Sequence, residues 1–243
     1  MIQGDPLKNI RVVLTQPSHP GNIGATARAM KTMGLGALYL VNPRHFPHAE
    51  AAARASGALD VLERATVCTS LPEALRDCVL AVATSSRQRE LRHDVMSARE
   101  AARAIVSDAA AYPVALVFGN ETSGLSSEEA GLCNWWAYVP ANPEYASLNL
   151  AAAVQIFAYE LRMAAVEGTL ARVAEFAPAT SEQVEQLYRH FEQTMIESGF
   201  LDPANPKRLL PRLRRLLARA RLESDEVNIL RGFLKTVGKP LLK

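Results

Sequence analysis

Five short apolar or β-branched runs punctuate the first two thirds of the chain: IRVVLT at 10–15, ALYLVN at 37–42, VLAVAT at 79–84, VALVF at 114–118 and WAYVP at 136–140. Runs of this length and content predict strands. The segments 25–33, 98–110 and 148–166 carry helix formers with apolar residues near a 3.6-residue period, which predicts helices between the strands. Such alternation calls for an α/β fold, a parallel sheet covered by helices on both faces.

After Gly168 the pattern changes. No further strand is expected, and FAPATS at 176–181 ends in a helix-start signal at Thr180 or Ser181, supported by Glu182 and Glu185. Helices are expected over 181–198, 206–220 and 224–236, with GFLDPANP as a break. Two units follow: an α/β domain over residues 1–168 and a small all-helical extension over 169–243.

Charge sharpens this division. The net charge is only +2, but residues 1–168 hold 14 basic and 16 acidic residues, whereas 169–243 hold 13 and 9. The excess sits in PKRLLPRLRRLLARAR at 206–221, where Lys207, Arg208, Arg212, Arg214, Arg215, Arg219 and Arg221 have no acidic neighbour. That run is either a solvated helix face or a contact for a polyanion.

Cys68, Cys78 and Cys133 form no C-x-x-C pair and read as reduced, structural thiols. Five scattered histidines offer no ligand spacing, so no metal is expected. The first residues lack the layout of a signal peptide, and Asn149, Gln155, Glu160 and Arg162 interrupt the most apolar long stretch. A cytoplasmic location without membrane contact is expected.

In parallel sheets, ligands bind beyond the carboxyl ends of the strands. The turn there reads PGNIG rather than G-x-G-x-x-G, and the phosphate-loop, H-E-x-x-H and G-x-S-x-G signatures are absent. Taken alone, Asn22 could cap a helix beginning near Ile23, with Gly24 and Ala25 keeping its first turn slim and Arg28 one to two turns inside. Such a helix start suits an RNA phosphate, although each residue taken singly is more often a plain cap or a surface arginine. Gly119 and Gly124 flank Glu121 in GNETSGLS, a loop that could hold a nucleoside or be an ordinary glycine-rich turn. Arg87, Arg89 and Arg92 could touch an RNA backbone or lie in a solvated loop, and Trp135 and Trp136 are expected to pack rather than stack on bases.

Three ordered segments carry a family resemblance: PSHPGNIGATARAMKTMG, LVFGNETSGLS and VPANPEYASLNLAAAVQ. Together they resemble the motifs of the SPOUT superfamily of RNA 2′-O-methyltransferases, and the helical extension is similar to that of a tRNA-modifying branch. The resemblance implies a SPOUT fold with a trefoil knot over residues near 79–160, and a homodimer acting on tRNA at anticodon-loop nucleotide 32. It implies S-adenosylmethionine held by Thr84, Ser85, Gly119, Glu121, Gly124, Val139, Ser147, Leu148 and Asn149. Asn22 and Arg28 would serve the target nucleotide. RNA contacts would come from Arg87, Arg89, Arg92, Lys207, Arg208, Arg214, Arg215 and Arg221. An rRNA 2′-O-methyltransferase and a non-catalytic RNA-binding module are the alternatives. A guanidinium is a permanent cation, so Arg28 is expected to clamp a phosphate and stabilise developing alkoxide charge rather than act as the base.

Overall fold

The computed structural model describes residues 5–85, 95–168 and 176–237. Its first part runs β1 (Ile10–Thr15), α1 (Pro20–Thr32), β2 (Ala37–Val41), α2 (Ala49–Ala55), α3 (Leu59–Glu63), β3 (Thr66–Cys68) and α4 (Leu71–Leu75). It continues with β4 (Leu80–Thr84), β5 (Val95–Ser97), α5 (Ala98–Ala109), β6 (Val114–Phe118), α6 (Ser127–Gly131), β7 (Trp135–Tyr138) and α7 (Leu150–Val166). The strands form one sheet in the order β3-β2-β1-β6-β4-β7-β5, and every pairing is parallel. The expected α/β architecture is present. The short strands β3 and β5, three residues each, carry too little pattern to be seen in the sequence.

Side-chain alternation explains why both faces are covered. Val12, Leu14, Leu38, Leu40, Leu80, Val82, Leu116 and Phe118 point to one face and share a core with residues of α1, α2, α5 and α7. The intervening Val13, Ala81, Ala83, Ala115 and Val117 point to the other, where the smaller side chains pack beneath α4 and α6. Cys68, Cys78 and Cys133 are free, buried thiols in this second core, as expected.

Three helices follow: α8 (Ser181–Glu197), α9 (Leu209–Ala220) and α10 (Ser224–Val237). Helix α9 starts three residues later than expected. Pro211 explains the difference, because a proline in the first turn lacks only an N–H that would be unpaired anyway, whereas deeper in a helix it would break the ladder. Helices α8 and α10 share a small core of Ala179, Leu187, Val227 and Leu234. The start of α8 is docked on the first part: Ser181 N–H donates to the Cys78 carbonyl at 2.8 Å and Glu182 N–H to that of Arg76 at 3.2 Å. Two of the helix's otherwise unpaired donors are thereby satisfied. No described helix is long and apolar enough to cross a membrane.

Candidate functional site

Strand order reverses at β1, which pairs with β2 on one side and β6 on the other. A parallel sheet opens a crevice at the carboxyl ends where this happens. The loop after β1 and the first turn of α1 carry Ser18 to Asn22, and the loop after β6 carries Glu121, so adjacent strands deliver both to the same place. Asn120 Nδ2 ties the loops together by donating to the Gln16 carbonyl at 2.7 Å.

Glu121 is the hub of this crevice. One carboxylate oxygen accepts from Ser18 N–H and Oγ–H, both at 2.9 Å. The other accepts from His19 N–H at 3.2 Å and Asn22 Nδ2 at 3.0 Å. Burial by itself would raise this carboxyl, but the hydrogen bonds from Asn22 and Ser18 outweigh it and hold the group at about 2. Asn22 passes the linkage on, since its Oδ1 accepts from Asn149 Nδ2 at 3.0 Å. Asn149 caps α7, its Oδ1 accepting from Ala151 N–H and Ala152 N–H at 2.9 and 3.3 Å.

One pocket at the ends of β4, β6 and β7 is lined by Thr84, Ser85, Gly119, Glu121, Gly124, Val139, Ser147 and Leu148. Eight of the nine residues assigned to the cofactor thus converge, although they come from three segments of sequence. Phe118, Tyr138 and Phe157 also line it, and the sequence pattern placed them only within expected strands and a helix. Gly119 makes the close fold of the loop possible, because a Cβ there would stand 2.1 Å from Leu125 N and 2.2 Å from the Gly124 carbonyl carbon. Gly124 has a φ of 69°, the left-handed conformation that glycine adopts without strain. Thr84 Oγ–H donates to the Val117 carbonyl at 3.0 Å and so joins β4 to β6 beneath the pocket.

Several sequence assignments change. Asn22 is not the cap of α1; that role belongs to His19, whose Nδ1 accepts from Gly21 N–H at 3.1 Å, with Pro20 as the first helical residue. Gly24 is needed for internal packing, since a Cβ would lie 2.0 Å from the Ala51 carbonyl oxygen of α2. Glu121 lines the pocket, but both its oxygens are engaged by the loop after β1. Asn149 is a helix cap joined to Asn22 rather than a pocket-lining residue. Arg28 is exposed on α1, on the stripe that continues from Asn22 through Ala25.

Two arginines assigned to RNA are engaged inside the protein. Arg214 makes a bidentate ion pair with Glu185 and lies over the Tyr188 ring at 3.9 Å. Arg221 pairs with the buried Asp108 at 2.8 Å and lies over Trp135 at 4.9 Å. Both guanidiniums are thus held by carboxylates of the protein. Lys207 and Arg208 are exposed in the turn before α9, and Arg215 is half-buried. Arg87, Arg89 and Arg92 lie outside the described residues. Trp136 is buried and donates its Nε1–H to the Ala130 carbonyl at 3.2 Å, so both tryptophans pack as expected.

A family model described as SpoU rRNA Methylase matches residues 9–159, the span holding the whole sheet and both loops, and the chain belongs to that family. A second model, described as tRNA methyltransferase TrmJ, C-terminal domain, matches residues 182–242. The chain is 48% identical over 236 residues to tRNA (cytidine/uridine-2′-O-)-methyltransferase TrmJ of Pectobacterium atrosepticum, covering 96% of this chain and 98% of that one. It is 46% identical to tRNA (cytidine/uridine/adenosine-2′-O-)-methyltransferase TrmJ of Pseudomonas aeruginosa, covering 96% and 95%. The crystal structure of TrmJ from Z. mobilis ZM4 superposes with a TM-score of 0.84 at 35% identity, covering 94% of this chain and 99% of that one. These likenesses put the chain in the TrmJ branch of the family.

Proposed function

We propose that the protein transfers a methyl group from S-adenosylmethionine to the ribose 2′-hydroxyl of anticodon-loop nucleotide 32 in tRNA, acting as a cytoplasmic homodimer. In this reading residues 1–168 form the methyltransferase unit and 169–243 a helical, tRNA-binding extension. The observation that carries it is the Glu121–Asn22–Asn149 linkage, which fixes the loop assigned to the nucleotide against the pocket assigned to the cofactor. The relatives named above, methyltransferases of tRNA along nearly their whole length, favour tRNA over the rRNA alternative. A knot over residues near 79–160 fits the sheet order, because β7 is added late in the chain and yet lies between β4 and β5.

The pocket residues suit the cofactor. Val139, Leu148, Phe118 and Phe157 give apolar walls for a base, Thr84, Ser85 and Ser147 give hydroxyls, and Gly119 lets the loop fold closely on Gly124 and Leu125 at the pocket's edge. When bound, S-adenosylmethionine supplies an electrophilic methyl group. The chain's part is positioning and charge: Glu121 holds Ser18, His19 and Asn22 in place, and Asn22 and Arg28 hold the nucleotide. Arg28 binds the adjacent phosphate and stabilises negative charge gathering on the ribose oxygen. The hydroxyl proton leaves to that phosphate or to water.

Labelled S-adenosylmethionine, the purified protein and total tRNA or rRNA provide the test. Label in tRNA, mapped to the ribose of nucleotide 32, is the expected result. Label in rRNA alone would favour the rRNA reading, and label in neither would leave an RNA-binding module.

A further inference from the structure

Helix α9 carries arginines on two opposite sides, and their surroundings differ. At about 100° per residue, Arg212, Arg215 and Arg219 fall within roughly 60° of one another, while Arg214 lies on the far side. The Arg214 side faces inward: Leu217 and Ala218 are buried there, and Arg214 is held by Glu185 and Tyr188. Arg221, just past the helix end, is held by Asp108 and Trp135. The other side is open. Arg212 and Arg219 are exposed, Leu216 between them is 53% exposed, and among the described residues neither arginine has an ion-pair partner.

We infer that the outward stripe Arg212–Arg215–Arg219 of α9 is the surface on which the tRNA backbone lies, while Arg214 and Arg221 fasten the helix to the rest of the protein. The inference rests on the proposed action on tRNA. Along the helix axis the three guanidinium-bearing positions are about 4.5 and 6 Å apart, giving a short row of cations for a partner with closely repeated negative charge. No acidic residue occurs between Asp202 and Glu223 to neutralise it. Arg215 adds a second sign, since its Nε–H is shut away from solvent without an acceptor. A turn of the guanidinium toward an arriving phosphate oxygen would satisfy that donor.

The chemistry favours RNA over a membrane surface. A helix lying in a lipid interface needs a free apolar side, and α9 has already spent its own on Leu217 and Ala218 against the protein. The inner fastenings also hold the stripe at a fixed offset from the crevice. Loss of an outer arginine should therefore weaken tRNA binding, whereas loss of an inner one should weaken the fold.

The test uses the full chain with Arg212→Gln and Arg219→Gln together. Binding of bulk tRNA is followed by fluorescence anisotropy across a salt series. Two lost phosphate contacts should make log K less steep in log salt by about 0.7 to 0.9 each. If the wild-type and variant curves meet near 1 M salt, Kd rises about 25- to 60-fold at 0.1 M. The thermal melt and calorimetric affinity for S-adenosylmethionine should not change, and Arg212→Lys with Arg219→Lys should retain most of the slope.

Unchanged affinity and slope in the glutamine variant would overturn the inference. So would a loss accompanied by an equal loss of folding or of cofactor binding, since the stripe would then be structural. A wild-type protein that shows stripe-dependent tRNA affinity but transfers no methyl to tRNA keeps the stripe and sinks the proposed activity. Methyl transfer with undiminished affinity in the variant does the reverse.

Discussion

Asn149 donates a 3.0 Å hydrogen bond to Asn22 across 127 residues of sequence, so the cap of α7 and the first turn of α1 share one side-chain bridge. With Glu121 on the other end of the Asn22 amide, three loops act as one body. Around Glu121 the network is half-buried, and connected hydrogen bonds of this kind fix geometry because each side chain limits the orientation of the next.

Glu121→Gln tests that network. Its folded carboxyl sits at about 2, below the ordinary 4.5. A lowered folded value stabilises the protein above pH 4.5, and that contribution fades as pH falls through about 2. The variant should melt at lower temperature than wild type at neutral pH, and the gap should narrow between about pH 4.5 and 2. A constant gap across an acid series of calorimetric melts would show that the charge does not matter.

Arg28→Ala should reduce turnover by about 10² to 10³-fold, the usual effect of removing a donor to developing oxyanion charge. Folding should be unaffected, because the side chain is exposed. Single-turnover assays read the first expectation and thermal melts the second, and calorimetric titration should show unchanged affinity for S-adenosylmethionine. Lost cofactor affinity would move Arg28 into the other pocket.

Gly119→Ala should abolish S-adenosylmethionine binding, because the added methyl meets loop backbone at 2.1 and 2.2 Å rather than a side chain that could turn aside. Gly36→Ala is the comparison, since nothing lies within 4 Å of a Cβ there. Equal cofactor affinity in the two variants would contradict the tight loop.

Asp108→Ala removes the partner of Arg221 and leaves a cation that is 14% exposed. Breaking a buried pair from one side costs about 3 to 5 kcal/mol. Chemical denaturation should show a loss near the lower end of that range, given the remaining exposure. Asp108→Ala together with Arg221→Met should recover much of it, and no recovery would mean that the pair is not coupled.

The sequence by itself determined the parallel α/β sheet, the positions of its five longer strands and the three terminal helices. Those features follow from short-range physics, namely runs of apolar residues, their period and the caps, all of which lie within a few residues of one another. It also singled out Gly119, Glu121 and Gly124 from the glycine-rich loop after a strand, and Ser147 and Asn149 through the family resemblance. What only the tertiary structure decided is how these residues divide the work. Glu121 faces the loop after β1 because β1 and β6 are neighbours in the sheet, a pairing between positions about a hundred residues apart that no local pattern records. Arg214 and Arg221 read as part of one basic run with Arg212 and Arg219, and charge per segment cannot separate them. Burial does, because an arginine brought against Glu185 or Asp108 is consumed by that carboxylate, and one on the opposite side of the same helix is left for solvent or a partner.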